Sequence, residues 1–187
     1  MSTLEHASDR AEPYRQLAVL GLAVIVTAAV VGWLVLHSGE TQAIAKTGVP
    51  TLVTADQLER LAGAADHPVF WAGPRKGFSY ELTVTRSGRV YVRYLPQGVS
   101  AGDARANFLV VGTYPKKGSF ADLKRASQRE GAAWIEREDG ALVVYSGDRA
   151  TNVYSGTPGA GYQVEVYSPD AATARRLVLD GTVEPIS

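Results

Sequence analysis

The sequence predicts an α+β domain with a largely antiparallel sheet and about three helices, preceded by one N-terminal transmembrane helix. Three observations carry this reading. An unbroken apolar run occupies residues 17–36, hydrophobic residues alternate at period two in several later stretches, and helix-start signals separate those stretches. The 187 residues suit one ordinary domain plus an appendage, and 45% apolar with 20% charged residues marks a globular chain.

The run LAVLGLAVIVTAAVVGWLVL holds no charge, proline or amide. At about 1.5 Å rise per residue such a helix spans the roughly 30 Å hydrocarbon core of a bilayer. Trp33 stands near its far end, where an indole sits at headgroup level. Arg10 and Arg15 precede the run and Lys46 follows it. The positive-inside rule therefore places the tail 1–16 in the cytoplasm and exports the carboxy-terminal part. The Ala43-Ile44-Ala45 triplet offers a signal-peptidase site, although the apolar run exceeds the usual h-region and lies far from it. Both readings export the same domain from the cell membrane. Residues 37–50 are small and polar and form a juxtamembrane linker, which leaves 51–187 as the exported α+β domain.

Within it, Thr54 and Gln57 form a capping box, and Leu58, Leu61, Ala62 and Ala65 share one helical face ending near Ala65. Val69–Trp71 begins the first strand. In "VFWAGPRKGF", residues 69–78, Gly73-Pro74 and Gly77 mark a connection. Phe78, Tyr80, Leu82 and Val84 then alternate with polar residues, and Val90, Val92 and Tyr94 alternate on the way back. Matching those faces sets Val84 opposite Val90 and leaves Arg86-Ser87-Gly88 as a three-residue loop, with Gly88 left-handed. Further strands are expected at Phe108–Tyr114, Ala133–Arg137, Leu142–Ser146, Asn152–Ser155 and Tyr162–Tyr167, with a hairpin at Asp139-Gly140. A helix capped by Ser119 runs from Phe120 to Arg129, and one capped by Ser168, with Pro169 at its first position, runs to Leu179. A faint repeat, a capped helix followed by strands, can be drawn at 54–95 and 119–167.

Composition narrows the chemistry. The chain has no cysteine, which excludes disulfides, thiolate nucleophiles and cysteine metal sites. Residues 51–187 carry sixteen Lys and Arg against fifteen Asp and Glu, so nucleic acid is not an expected partner. His67 is the domain's one imidazole, too few for zinc, and no nucleophile elbow accompanies it. No catalytic residue, metal or cofactor is assigned. GTPGAG, 156–161, leads into a strand rather than a helix and reads as a loop.

Two basic loops and one strand face remain as candidates for binding an anion or a partner. Arg75-Lys76 lies in the first connection, and Lys116-Lys117 precedes a helix start, where anions are favoured. Tyr91 and Arg93 face away from the hairpin's apolar side, and this residue pair is enriched at binding hot spots. The reading is a membrane-anchored extracytoplasmic binding module for an envelope protein or an anionic polymer, of open oligomeric state. One alternative is a small envelope hydrolase using two of Glu81, Glu136, Glu138, Asp139 and Glu165. The other is a membrane scaffold acting through its transmembrane helix.

HPVFWAGPRKGFSYELTVTRSGRVYVRYLP, FLVVGTYP and YQVEVYSPDAATARRLV resemble segments shared by uncharacterised single-pass membrane proteins of high-GC Gram-positive bacteria. The resemblance covers the apolar run and nearly all of 51–187. It implies a membrane anchor with an exported domain and brings no activity or catalytic residues.

Overall fold

The alternating stretches assemble into one eight-stranded sheet in the computed structural model, which describes residues 47–148 and 151–186. The transmembrane helix expected over 17–36 lies outside the described residues, as do the tail and most of the linker. No helix among the described residues is long and apolar enough to cross a membrane. In chain order the elements are β1 (Thr51–Val53), α1 (Ala55–Ala62), β2 (Phe70–Trp71), β3 (Phe78–Val84), β4 (Val90–Pro96) and β5 (Val110–Pro115). There follow α2 (Ser119–Ala126), β6 (Ala132–Glu136), β7 (Leu142–Ser146), β8 (Asn152–Gly156), β9 (Tyr162–Tyr167), α3 (Ala171–Leu179) and β10 (Glu184–Pro185).

The large sheet has the order β1-β3-β4-β5-β9-β8-β7-β6, and β10 pairs with β2 in a separate ribbon. Every pairing is antiparallel. Register aligns Leu82, Val92, Val111, Val166, Val153 and Tyr145 in one row across six strands. That inner face is the main core. It is covered by Leu58 of α1, by Ala174, Leu177 and Val178 of α3, and by Val69 and Trp71. Burying each of these leucine and valine side chains contributes about 1.5–3 kcal/mol. On the outer face α2 covers only the far half, where Leu123 packs on Leu142 and Val144 with Phe120 and Tyr154 alongside.

The first hairpin follows its apolar pattern. Val84 pairs with Val90, the Thr85 amide donates to the Arg89 carbonyl (2.8 Å), and the Gly88 amide donates to the Thr85 carbonyl (3.0 Å). Gly88 has φ +76°, the left-handed conformation a side chain would strain. The Asp139-Gly140 hairpin repeats this closure, with Arg137 bonding Ala141 at 2.9 Å. The Thr54–Gln57 capping box is present in both directions.

Several boundaries differ from expectation. The edge strand β1 is only three residues long, too short for a period to show, and β10 is shorter still. Helix α1 stops at Ala62, where Gly63 caps it without leaving the right-handed region, and Ala65 lies in the turn beyond. Ser119 is inside α2, not its cap. The cap position is Gly118, and the buried Ser119 hydroxyl instead donates to the Tyr162 carbonyl at 2.8 Å, tying α2 to β9. Helix α2 ends at Ala126 rather than Arg129. Ser168 does not cap α3 either. Asp170 does, accepting from the Ala172 and Thr173 amides, while Ser168 Oγ accepts from the Asp170 amide.

Candidate functional site

Connection 72–77 is held from below by two phenols of the sheet. Tyr94, buried in β4, accepts from the Ala72 amide (2.6 Å) and donates to the Gly73 carbonyl (3.1 Å). Tyr80 in β3 accepts from the Arg75 amide at 2.7 Å. Trp71, Tyr80 and Tyr94 stack edge to face, with centroids 5.8 and 5.2 Å apart. Burial pushes the Tyr94 hydroxyl far above the usual phenol range, so it stays a protonated donor. Arg75 lays its guanidinium over the Tyr94 ring, 5.2 Å from the centroid.

This fixed connection and the first turn of α1 bound a shallow open cleft of about 360 Å³, lined by Thr54, Ala55, Pro74, Arg75, Lys76, Phe78, Ser79 and Tyr80. Among the described residues neither Arg75 nor Lys76 forms an ion pair. Two cations without an ion-pair partner therefore line the same cleft as the ring of Phe78, which is 38% accessible. Arg75 and Lys76 were legible as a basic loop. Phe78 and Tyr80 were legible only as strand residues, since nothing in their spacing says which connection crosses them.

The other expected binding residues lie elsewhere. Lys116 and Lys117 follow β5, whose end pairs with the start of β4, whereas Arg75 and Lys76 precede β3, whose start pairs with the end of β4. The two basic loops thus sit at opposite ends of the strands and do not converge. Lys116 pairs with Asp122 of α2, and that lysine, more than Arg125, holds the Asp122 carboxyl below its usual range. Lys117 is exposed.

Arg93 is no free hot spot. It donates to the buried Glu81 (2.8 Å) and to the carbonyls of Asp103 (2.8 Å) and Arg105 (3.1 Å), with its guanidinium over Phe108. Glu81 also accepts from the Gly102 amide at 2.6 Å. The pair therefore pins residues 102–108 across the outer face. Tyr91 packs edge-on against Tyr114, 5.6 Å between centroids. The Tyr114 ring folds across Gly112, where a Cβ would come within 2.9 Å of it. Its hydroxyl donates to Glu165, whose other oxygen accepts from Asn152 Nδ2 at 2.6 Å. Burial and Glu165 together push the Tyr154 hydroxyl up to about 12. Only register brings this network together.

The carboxylates proposed for hydrolysis are dispersed. Glu81 and Glu165 are three strands apart on the sheet, about 14 Å at ordinary strand spacing, beyond the separation glycosidases use. Glu136 and Glu138 belong to the far hairpin, where Asp139 pairs with Arg137. His67 points both ring nitrogens at carbonyls, Pro68 at 2.9 Å and Gly88 at 2.7 Å, so it braces the first hairpin rather than facing a substrate. No grouping of metal-ligating side chains occurs among the described residues. No protein-family model, curated protein or solved structure matches the chain.

Proposed function

We propose that the protein is a non-enzymatic binding module, anchored in the cell membrane by residues 17–36, whose extracytoplasmic domain takes an anionic group of the envelope at the Arg75–Lys76 cleft. The supporting observation is that these two cations, alone among the expected binding residues, combine an open cleft with the lack of an ion-pair partner among the described residues. The Arg75 backbone is fixed by Tyr80 and the start of the connection by Tyr94, so little backbone ordering attends binding. The resemblance to single-pass membrane proteins agrees with the anchored arrangement.

The test is titration of the full chain in detergent with inorganic polyphosphate, followed by intrinsic fluorescence, since Trp71 lies beside Tyr80. Wild type binds, and its affinity falls as salt rises. The double variant R75Q/K76Q loses about tenfold or more, while K116Q/K117Q stays within about twofold. Equal binding by R75Q/K76Q and wild type would discard the cleft. An interaction that survives deletion of 51–187 would move the function to the apolar helix.

A further inference from the structure

Strand β6 ends the large sheet and has a strand neighbour on one side only, yet Trp134 and Ile135 at its centre are 55% and 39% accessible. Its backbone is open as well. The Arg137 amide donates to the Ala141 carbonyl and the Gly131 carbonyl accepts from the Gly147 amide, so the bonds to β7 fall on the odd-numbered residues 131–137. The even-numbered residues aim their peptide groups away from β7. These are the N–H and C=O of Trp134 and Glu136 and the C=O of Ala132, whose N–H is spent on the Arg129 carbonyl. The opposite edge, β1, is only three residues long, and shortness is one way to keep an edge from pairing. β6 has five residues in unbroken register, with neither proline nor bulge.

The two faces of β6 state what this edge accepts. Trp134 pairs with Val144 on the outer face, so Ala132 and Glu136 stand there too, while Ala133 pairs with Tyr145 and shares the inner face with Ile135. Glu130 and Glu138 are exposed in the turns at either end, and none of these three acids forms an ion pair among the described residues. Arg129 is a counter-charge in the first turn, but Arg137 is taken by Asp139 and the Val178 carbonyl. An added strand with a basic outer row sets one cation against Glu136 and another over the Trp134 ring, and an aliphatic inner row lies beside Ala133 and Ile135. A second copy of β6 fits badly. Two-fold pairing keeps each face on its own side and so is centred on a residue. Centring on Ala133 sets Glu136 opposite Glu130, centring on Trp134 sets Glu130 opposite Glu138, and centring on Ile135 leaves the two Glu136 side chains diagonal.

We infer that β6 takes up an extended peptide segment of alternating basic and aliphatic residues as a ninth, antiparallel strand. The backbone bonds supply affinity and the acidic, aromatic outer row selects the sequence. This site is separate from the Arg75–Lys76 cleft and does not depend on it.

The probe is an acetylated, amidated peptide of alternating lysine and valine, about seven residues long, added to the full chain in a nonionic detergent. Amide exchange followed by mass spectrometry reads the edge. Exchange at Trp134 and Glu136 slows about tenfold with the peptide, and a glutamate–valine peptide has no effect. In this ladder the residues opposite Trp134 and Glu136 are the lysines, so lysine peptide groups face β6 and valine ones face away. N-methylation of the lysines therefore abolishes the protection, and N-methylation of the valines preserves it. E130Q/E136Q/E138Q weakens binding about fivefold or more, as does high salt. E136P removes an outward N–H without touching the β7 ladder, and it weakens binding further than E136Q does. Equal binding by the lysine-methylated and valine-methylated peptides would reduce the contact to charge and overturn strand addition. So would a lack of protection at Trp134 and Glu136, or a triple variant that binds like wild type. Protection that rises with protein concentration in the absence of peptide would give the edge to a second copy and overturn the inference as well.

Discussion

Tyr94 shows how one hydroxyl can join core and surface. The ring belongs to the buried hairpin face, and its oxygen serves both the Ala72 amide and the Gly73 carbonyl. Removing it with Y94F leaves a buried amide unpaired, which costs about 1–3 kcal/mol. The expected result is a lower urea midpoint and weaker polyphosphate binding, although residue 94 touches no ligand. Arg93 supplies the contrast. R93A strands the buried Glu81 carboxylate and should cost about 3 kcal/mol or more, with faster proteolysis within 97–109. Replacing both partners as E81Q/R93Q should recover much of that loss. At this scale the sequence was only partly readable. Arg93 was visible as an exposed-phase strand residue that the predicted register sets opposite Glu81, but its carbonyl partners come from a loop ten or more positions away, which alternation does not record. Ser119 and Ser168 satisfy cap rules on paper, yet each hydroxyl had another use, on Tyr162 and on the Asp170 amide.

Among elements, the first hairpin was legible to the residue, because a slip by one would turn both valines of β4 toward the outer face, whereas at Asp139-Gly140 the turn was legible but the strand expected at Ala133–Arg137 runs Ala132–Glu136. G88A should cost about 1–2 kcal/mol, from left-handed strain plus a Cβ placed 3.3 Å from Pro115 Cγ. Differential scanning calorimetry against S87A separates this from a general loop effect. Helix α3 offers a pH test. Hydrogen bonding to Thr173, then to the α3 amides, holds the Asp170 carboxyl below its usual range. Its folded-state pKa is depressed, so its stabilisation is complete above about pH 4 and is lost as pH falls through the folded value. D170N should therefore flatten the acid limb of the melting-temperature profile, while S168A should leave it unchanged. The strands β1 and β10 were not read in the sequence, and the strand begun at Val69–Trp71 was not read as a separate short ribbon with β10, for one reason. Two or three residues cannot show a period, and their pairing is imposed by neighbours already in place.

For the whole molecule, the α+β class and the antiparallel sheet followed from strand count and hairpin spacing. Strand order did not, because β5 pairs with β9 across four intervening elements. The same pairing decides where Glu165 meets Tyr114, while Tyr154 reaches it through the neighbouring β8–β9 pairing, so the Tyr114 half of the outer-face network could not be foreseen. It carries a global prediction. Tyr94, Tyr114 and Tyr154 all have raised pKa values through burial, the latter two with help from Glu165. A raised folded pKa keeps its stabilisation intact below the ordinary phenol value of about 10 and loses it as pH rises toward the folded value. Urea midpoints should hold to about pH 10 and then fall steeply, with Tyr154 contributing between about 10 and 12. A flat alkaline limb would show that the phenols ionise as freely in the folded chain as in the unfolded one.

The central β5–β9 seam also sets a timetable. A chain delivered from its amino end presents the open side of β5 well before residues 162–167 arrive to close it. Until then Val110–Pro115 can recruit any extended segment nearby, a neighbouring nascent copy included. Completion of the sheet is therefore a late event for a molecule threaded in this order, and the interval before it is when misassembly competes. A circular permutant of residues 51–187 that begins near Thr157 would place β9 ahead of β5 and should aggregate less than the native order during synthesis from its amino end, even at equal final stability.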